Sequence, residues 1–141
     1  MSFAVGQKVI YPGHGLAVIK RIETRNNKEF YILEVVYSGM VVILPILVNS
    51  LRPLISKFEA KQIEKILATS ETPYKDTTST WNRRYREYME VITTGKTKEI
   101  AYVLNSLLNI AKAKDLSFGE RKMIDHCKTL INSELKEIGV A

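Results

Sequence analysis

At 141 residues, 45% of them hydrophobic and 26% charged, the chain has the composition of a folded protein with one domain or two small ones, which excludes a disordered chain. A single cysteine, Cys127, rules out an internal disulfide framework; no stretch approaches the ~20 apolar residues of a membrane span, and the opening MSFAVGQKVIYPGHG lacks the basic start and apolar run of a signal peptide. The expectation is a soluble cytoplasmic chain whose formal charge of +6 suits an acidic partner such as nucleic acid.

From Lys8 to Leu44, β-branched and aromatic residues gather in four runs, KVIY, LAVIKRIET, EFYILEVVY and MVVIL. They are divided by Pro12, Gly13 and Gly15, by Asn26 and Asn27, and by Ser38 and Gly39. Strand formers punctuated this way predict a small, strongly bent antiparallel sheet of the SH3-like or Tudor-like kind. In the third run Phe30, Ile32, Glu34 and Val36 alternate with Tyr31, Leu33, Val35 and Tyr37, leaving almost no polar face. Such a strand is covered twice or offers a surface to a partner.

After Pro45, Ser56 and Glu59 have the spacing of a capping box, and Phe58, Ile63, Ile66 and Leu67 form a helical stripe to about Thr69. The stretch 70–80, SETPYKDTTST, has no periodicity and reads as a linker. The expected organisation is therefore a sheet domain with a terminal helix over 1–69, a linker over 70–80, and a compact helical domain over 81–141. That last part holds three predicted helices. The first runs from Trp81 to about Thr93. The second carries a stripe of Ile100, Val103, Leu104, Leu107 and Leu108. The third is capped by Ser117 and Glu120 and carries Met123, Ile124, Cys127, Leu130, Ile131 and Leu135. The fold class is α+β.

No residue set points to catalysis. The turn YPGHG lacks the lysine and following helix of a phosphate loop, so Gly13 and Gly15 there read as turn formers. His126 and Cys127 are neighbours on a helix and point about 100° apart, which excludes a nucleophile–base pair. Glu87 and Glu90 read as a solvated face offsetting nearby arginines. With two histidines and one cysteine, a metal site has little to draw on, and no cofactor is expected.

Trp81, the lone tryptophan, stands at a helix start with Arg83, Arg84 and Arg86 just after it. A flat ring among guanidinium groups suits insertion against nucleic-acid bases while its neighbours hold phosphate. A tryptophan there is also a natural core residue. Arg83 and Arg86 share a helix side; Lys96, Lys98, Arg121 and Lys122 stand near the later helix starts.

VGQKVIYPGHGLAVIKRIETR at the start, W-x-R-R-Y after a polar linker and LSFGERKM late in the chain together resemble the CarD/CdnL family of bacterial RNA polymerase-binding transcription regulators, over essentially the whole chain. The resemblance implies a Tudor-like polymerase-interaction domain, shared with the transcription-repair coupling factor, then a helical DNA-binding domain. It implies binding to the polymerase β subunit at promoters and stabilisation of the melted state by a tryptophan wedged into the minor groove at the upstream bubble edge. Trp81 matches the wedge; Arg83, Arg84 and Arg86 match its basic escort; Arg121 and Lys122 match a DNA-contacting stretch; Arg25 matches a β-subunit contact. Ile43 stands where some relatives carry a basic polymerase-contacting residue. The expectation is a monomeric, non-enzymatic, nucleoid-associated initiation regulator without metal or membrane partner. The alternative is a protein-interaction adaptor for a polymerase-associated factor, without DNA wedging.

Overall fold

The computed structural model describes residues 2–75 and 79–139. Four strands, β1 (Lys8–Tyr11), β2 (Gly15–Arg25), β3 (Lys28–Val35) and β4 (Val41–Pro45), form an antiparallel sheet in the order β1-β2-β3-β4. Four helices follow: α1 (Lys57–Ala68), α2 (Trp81–Thr93), α3 (Thr97–Ala113) and α4 (Phe118–Ile138). The architecture is α+β, as the residue pattern predicts. No helix among the described residues is long and apolar enough to cross a membrane.

The β2–β3 hairpin closes through Asn26 and Asn27, both at positive φ (51° and 63°), the geometry of a two-residue turn whose twist matches its strands. β3 ends two residues earlier than its apolar run. Val36 and Tyr37 belong to the turn into β4 and stand 52% and 74% exposed. One sheet face is the small core: Tyr31, Leu33 and Val35 of β3 pack with Val9, Ala17, Ile19 and Phe3, and the Tyr31 hydroxyl accepts a hydrogen bond from the Phe3 amide at 2.8 Å. On the other face Ile32 is also buried, flanked across the register by Arg21 and Ile43.

The helical core differs from expectation in its membership. Ala60, Ile63 and Ile66 of α1 pack in one cluster with Tyr88, Ile92, Ile100, Leu104, Leu107, Cys127 and Ile131, so the cores part before α1 rather than after it. Phe58, placed on the α1 stripe by its spacing, is 72% exposed at the helix start. The first residues of the 70–80 stretch are also docked on α3. Asn105 donates to the carbonyls of Ile66 and Glu71, Thr72 to that of Tyr102, and Ser106 to that of Tyr74. A polar segment is held here by polar side chains on a helix face, which a search for apolar periodicity does not detect. Residues 76–78 of that stretch lie outside the described residues.

Arg52 ties the sheet to the helices. Arg52 exchanges two backbone hydrogen bonds with Ile10 of β1 (2.8 and 3.1 Å). Its guanidinium reaches the helices, meeting both oxygens of Glu134 at 2.9 and 3.0 Å, the Gly95 carbonyl and the Thr97 hydroxyl. Glu134 is buried and also accepts from the Thr97 hydroxyl and the Ile55 amide. Gly95, at φ +73°, lies so close to Pro12 that a Cβ there would come within 2.8 Å of the proline ring. The YPGHG turn is thus a packing seat for the α2–α3 corner.

Candidate functional site

Trp81 is the first residue of α2, whose N-cap Thr80 accepts a hydrogen bond from the Arg83 amide at 3.4 Å. The indole is partly exposed and packs on the helical core without being enclosed by it. Its ring meets Tyr85 edge-on at 5.7 Å and Tyr88 at 6.5 Å, and the Arg84 guanidinium carbon lies 5.4 Å from its centroid. Gly119, in the first turn of α4, supports it from the other side. A Cβ at that position would approach the indole nitrogen to 2.9 Å, so glycine is what lets the ring lie against the helix. The starts of α2 and α4 therefore converge on one half-buried ring.

Arg84 is a correction to the expected basic escort. It is 4% exposed and pairs with Glu120, which is 2% exposed, at 3.3 and 3.4 Å. Glu120 is the partner in the α4 capping box: its carboxylate accepts from the Ser117 amide, and its own amide donates to the Ser117 hydroxyl. Burial alone would raise its carboxyl pKa. The bonds from Ser117, the charge of Lys114 and the Arg84 guanidinium outweigh that and hold it below the ordinary 4.5. A guanidinium this close to an apolar core required a fixed counter-charge, and the capped start of α4 supplies one.

The remaining basic residues face outward. Arg83 is exposed and makes a loose i,i+4 pair with Glu87 at 3.4 Å; Arg86, Arg121 and Lys122 are exposed as well, with the Lys122 ammonium 5.2 Å above the Phe118 ring. The first turn of α2 contains no acidic residue, so its free amides and positive dipole end add to the guanidinium charge around Trp81. Glu87 offsets one of these charges. Lys96 is exposed at the start of α3 and Lys98 is half-buried there.

Arg25 and Ile43 lie on the sheet's outer face. Arg25 and Arg21 both bind the Glu23 carboxylate, at 2.7 Å each, and these two hydrogen-bonded arginines hold the Glu23 pKa below its usual value. Ile43, 44% exposed, sits across from Ile32 on β4, whose far side pairs with no other strand among the described residues. Beyond β4, Leu47 and Val48 are 95% and 78% exposed beside a groove of about 610 Å³ formed with the β2–β3 hairpin. Large apolar side chains left in water at an open strand edge are of the kind that protein partners cover. Sequence reasoning missed Arg21, Glu23, Leu47 and Val48; the apolar run PILV continuing past β4 was the available signal.

Cys127 is fully buried, and burial pushes its thiol up to about 12, which removes it as a nucleophile at neutral pH. Among the described residues no group of three or more His, Cys, Asp or Glu side chains is placed to hold a metal ion.

Comparison with known proteins agrees with this division into sheet and helices. Residues 3–57 match the model of the CarD-like/TRCF RID domain, and residues 62–139 match that of the CarD C-terminal domain. A Bacillus subtilis (strain 168) protein named "Putative transcription factor YdeB" is 31% identical over 143 residues, spanning 96% of this chain and 92% of that protein. With both halves matched in order, the chain belongs to the CarD/CdnL family of transcription regulators.

Proposed function

We propose that this protein acts without catalysis, docking on the RNA polymerase β subunit through its sheet and presenting Trp81 to the upstream edge of the promoter bubble. The observation that carries the reading is the setting of the indole: partly exposed, braced by Gly119, Tyr85 and the buried Arg84, and surrounded by outward Arg83, Arg86, Arg121 and Lys122. A braced ring with free area can take the place of a stacked base while exposed cations hold phosphates. Arg84 acts from behind the ring rather than on DNA. On the sheet, the β4 edge, Ile43 and the Arg21–Glu23–Arg25 cluster offer unpaired backbone groups beside apolar and ionic contacts, the means by which an added strand is recognised. Tethering through the sheet makes a weak DNA contact effective locally.

A ring inserted where strands part makes reannealing costlier. About 1.4 kcal/mol of stabilisation shifts an open/closed equilibrium tenfold. Trp81→Ala is expected to leave polymerase binding intact and shorten open-complex lifetime about tenfold. Arg25→Glu is expected to weaken polymerase binding itself. Open-complex lifetimes measured with the cognate polymerase decide between the readings: a Trp81→Ala protein that prolongs open complexes as well as wild type sinks the wedge and leaves an adaptor.

A further inference from the structure

Beside Tyr85 and Gly119, which both also meet the indole, the two halves of the molecule line an open cleft of about 500 Å³. Tyr37 reaches it from the β3–β4 turn; Tyr85 and Met89 line it from α2, and Lys122, Asp125 and His126 from α4. We infer that this cleft receives a single unpaired nucleobase of promoter DNA, the one that Trp81 displaces. The inference rests on the wedge reading above and adds to it a destination for the base.

Four features support a base as the occupant. The volume falls within the range of small-ligand sites, roughly 300–1,000 Å³. Tyr37 and Tyr85 are 74% and 46% exposed, so two phenol rings keep open faces in a concave site, and such rings stack on any base. Lys122 brings an ammonium group for the attached phosphate, and the Asp125 carboxylate and His126 imidazole offer an acceptor and a ring nitrogen to the edge of a base. The cleft also shares two walls with the indole, since Tyr85 meets Trp81 edge-on at 5.7 Å and Gly119 lies beneath it. A base unstacked by Trp81 therefore has an aromatic platform one ring away. Neither half forms the site alone: Tyr37 comes from the sheet half, and the Arg52–Glu134 seam holds it opposite the helices.

The test uses the full-length protein and fork-junction duplexes that carry an abasic residue, one position at a time, next to the junction. At one position the missing base is expected to weaken wild-type binding about tenfold, the order of a single aromatic stacking contact. Tyr37→Ala is expected to bind the intact fork more weakly and to lose that abasic penalty. Tyr37 is 74% exposed in the turn between β3 and β4, so this variant is expected to retain the fold, which its melting curve checks. A penalty that persists in Tyr37→Ala, or is absent from wild type at every position, overturns the cleft. So does a Tyr37→Ala protein that loses polymerase binding instead, since the occupant is then a polymerase side chain. If Trp81→Ala binds forks as well as wild type, the wedge and the cleft both fall; if only the Tyr37-dependent penalty is missing, the cleft falls alone.

Discussion

The two halves of this molecule manage their difficult residues in opposite ways. The helical half takes charge inside, with Arg84 and Glu120 both nearly sealed from solvent, and closes its polar surface over them. The sheet half leaves apolar residues outside: Ile43, Leu47 and Val48 stand in water along one open edge. Removing a buried charge partner is expensive for the protein itself, whereas trimming an exposed apolar residue matters only to whatever covers it. The contrast separates residues that build the protein from residues free to meet a partner.

The strongest way to break that contrast is at the buried pair. Arg84→Ala leaves the Glu120 carboxylate without its guanidinium, and an expected loss of about 3–5 kcal/mol is readable as a lower denaturant midpoint. Because the folded Glu120 pKa lies below its ordinary 4.5, its contribution to stability is present above that value and is lost as pH falls through the folded pKa. Urea titrations at pH 7 and in the acid range are expected to converge for wild type and Glu120→Gln as the pH drops. If the two proteins lose stability in parallel, Glu120 is not a source of the acid sensitivity.

Next in size is the seam. Arg52→Ala removes both of the guanidinium bonds to Glu134, yet the Thr97 hydroxyl and the Ile55 amide remain, so the expected cost is smaller, on the order of 2–3 kcal/mol. Small-angle scattering is expected to show a broader range of shapes for this variant. The smallest effect is on the sheet. Leu47→Ser and Ile43→Ser are expected to change stability by no more than about 0.5 kcal/mol while weakening polymerase binding, which thermal melts and a binding titration check side by side. A large drop in melting temperature for either would return these residues to the fold.

What could be read from residues alone follows from what periodicity and spacing encode. The four apolar runs became four strands, and the Asn26–Asn27 pair became a tight turn between two of them, because local backbone preference and pleat alternation act over a few residues. The α4 stripe, from Met123 to Leu135, is buried throughout, and its Ser117–Glu120 capping box is formed on both sides. At α1 only half of that motif forms: Ser56 accepts from the Glu59 amide at 3.1 Å. Long-range polar pairing was not legible. Nothing within a helical turn of Arg84 reveals that Glu120, 36 residues away, will bury it. For the same reason the pairing of Arg52 with Glu134, 82 residues apart, leaves no local signal, and neither does the packing of α1 on the other helices. Apolar pattern says that a helix has a buried face, but not which neighbour covers it.

One consequence follows from the way Arg52 spans the junction. Its main chain is stitched to the first strand while its side chain grips the last helix, so a single residue belongs to both bodies at once. Its loss is expected to loosen the sheet's hold on the corner between α2 and α3, at the far end of the helix that begins with the indole. On the proposed function, this one side chain carries the orientation of the docked half over to the half that meets the promoter.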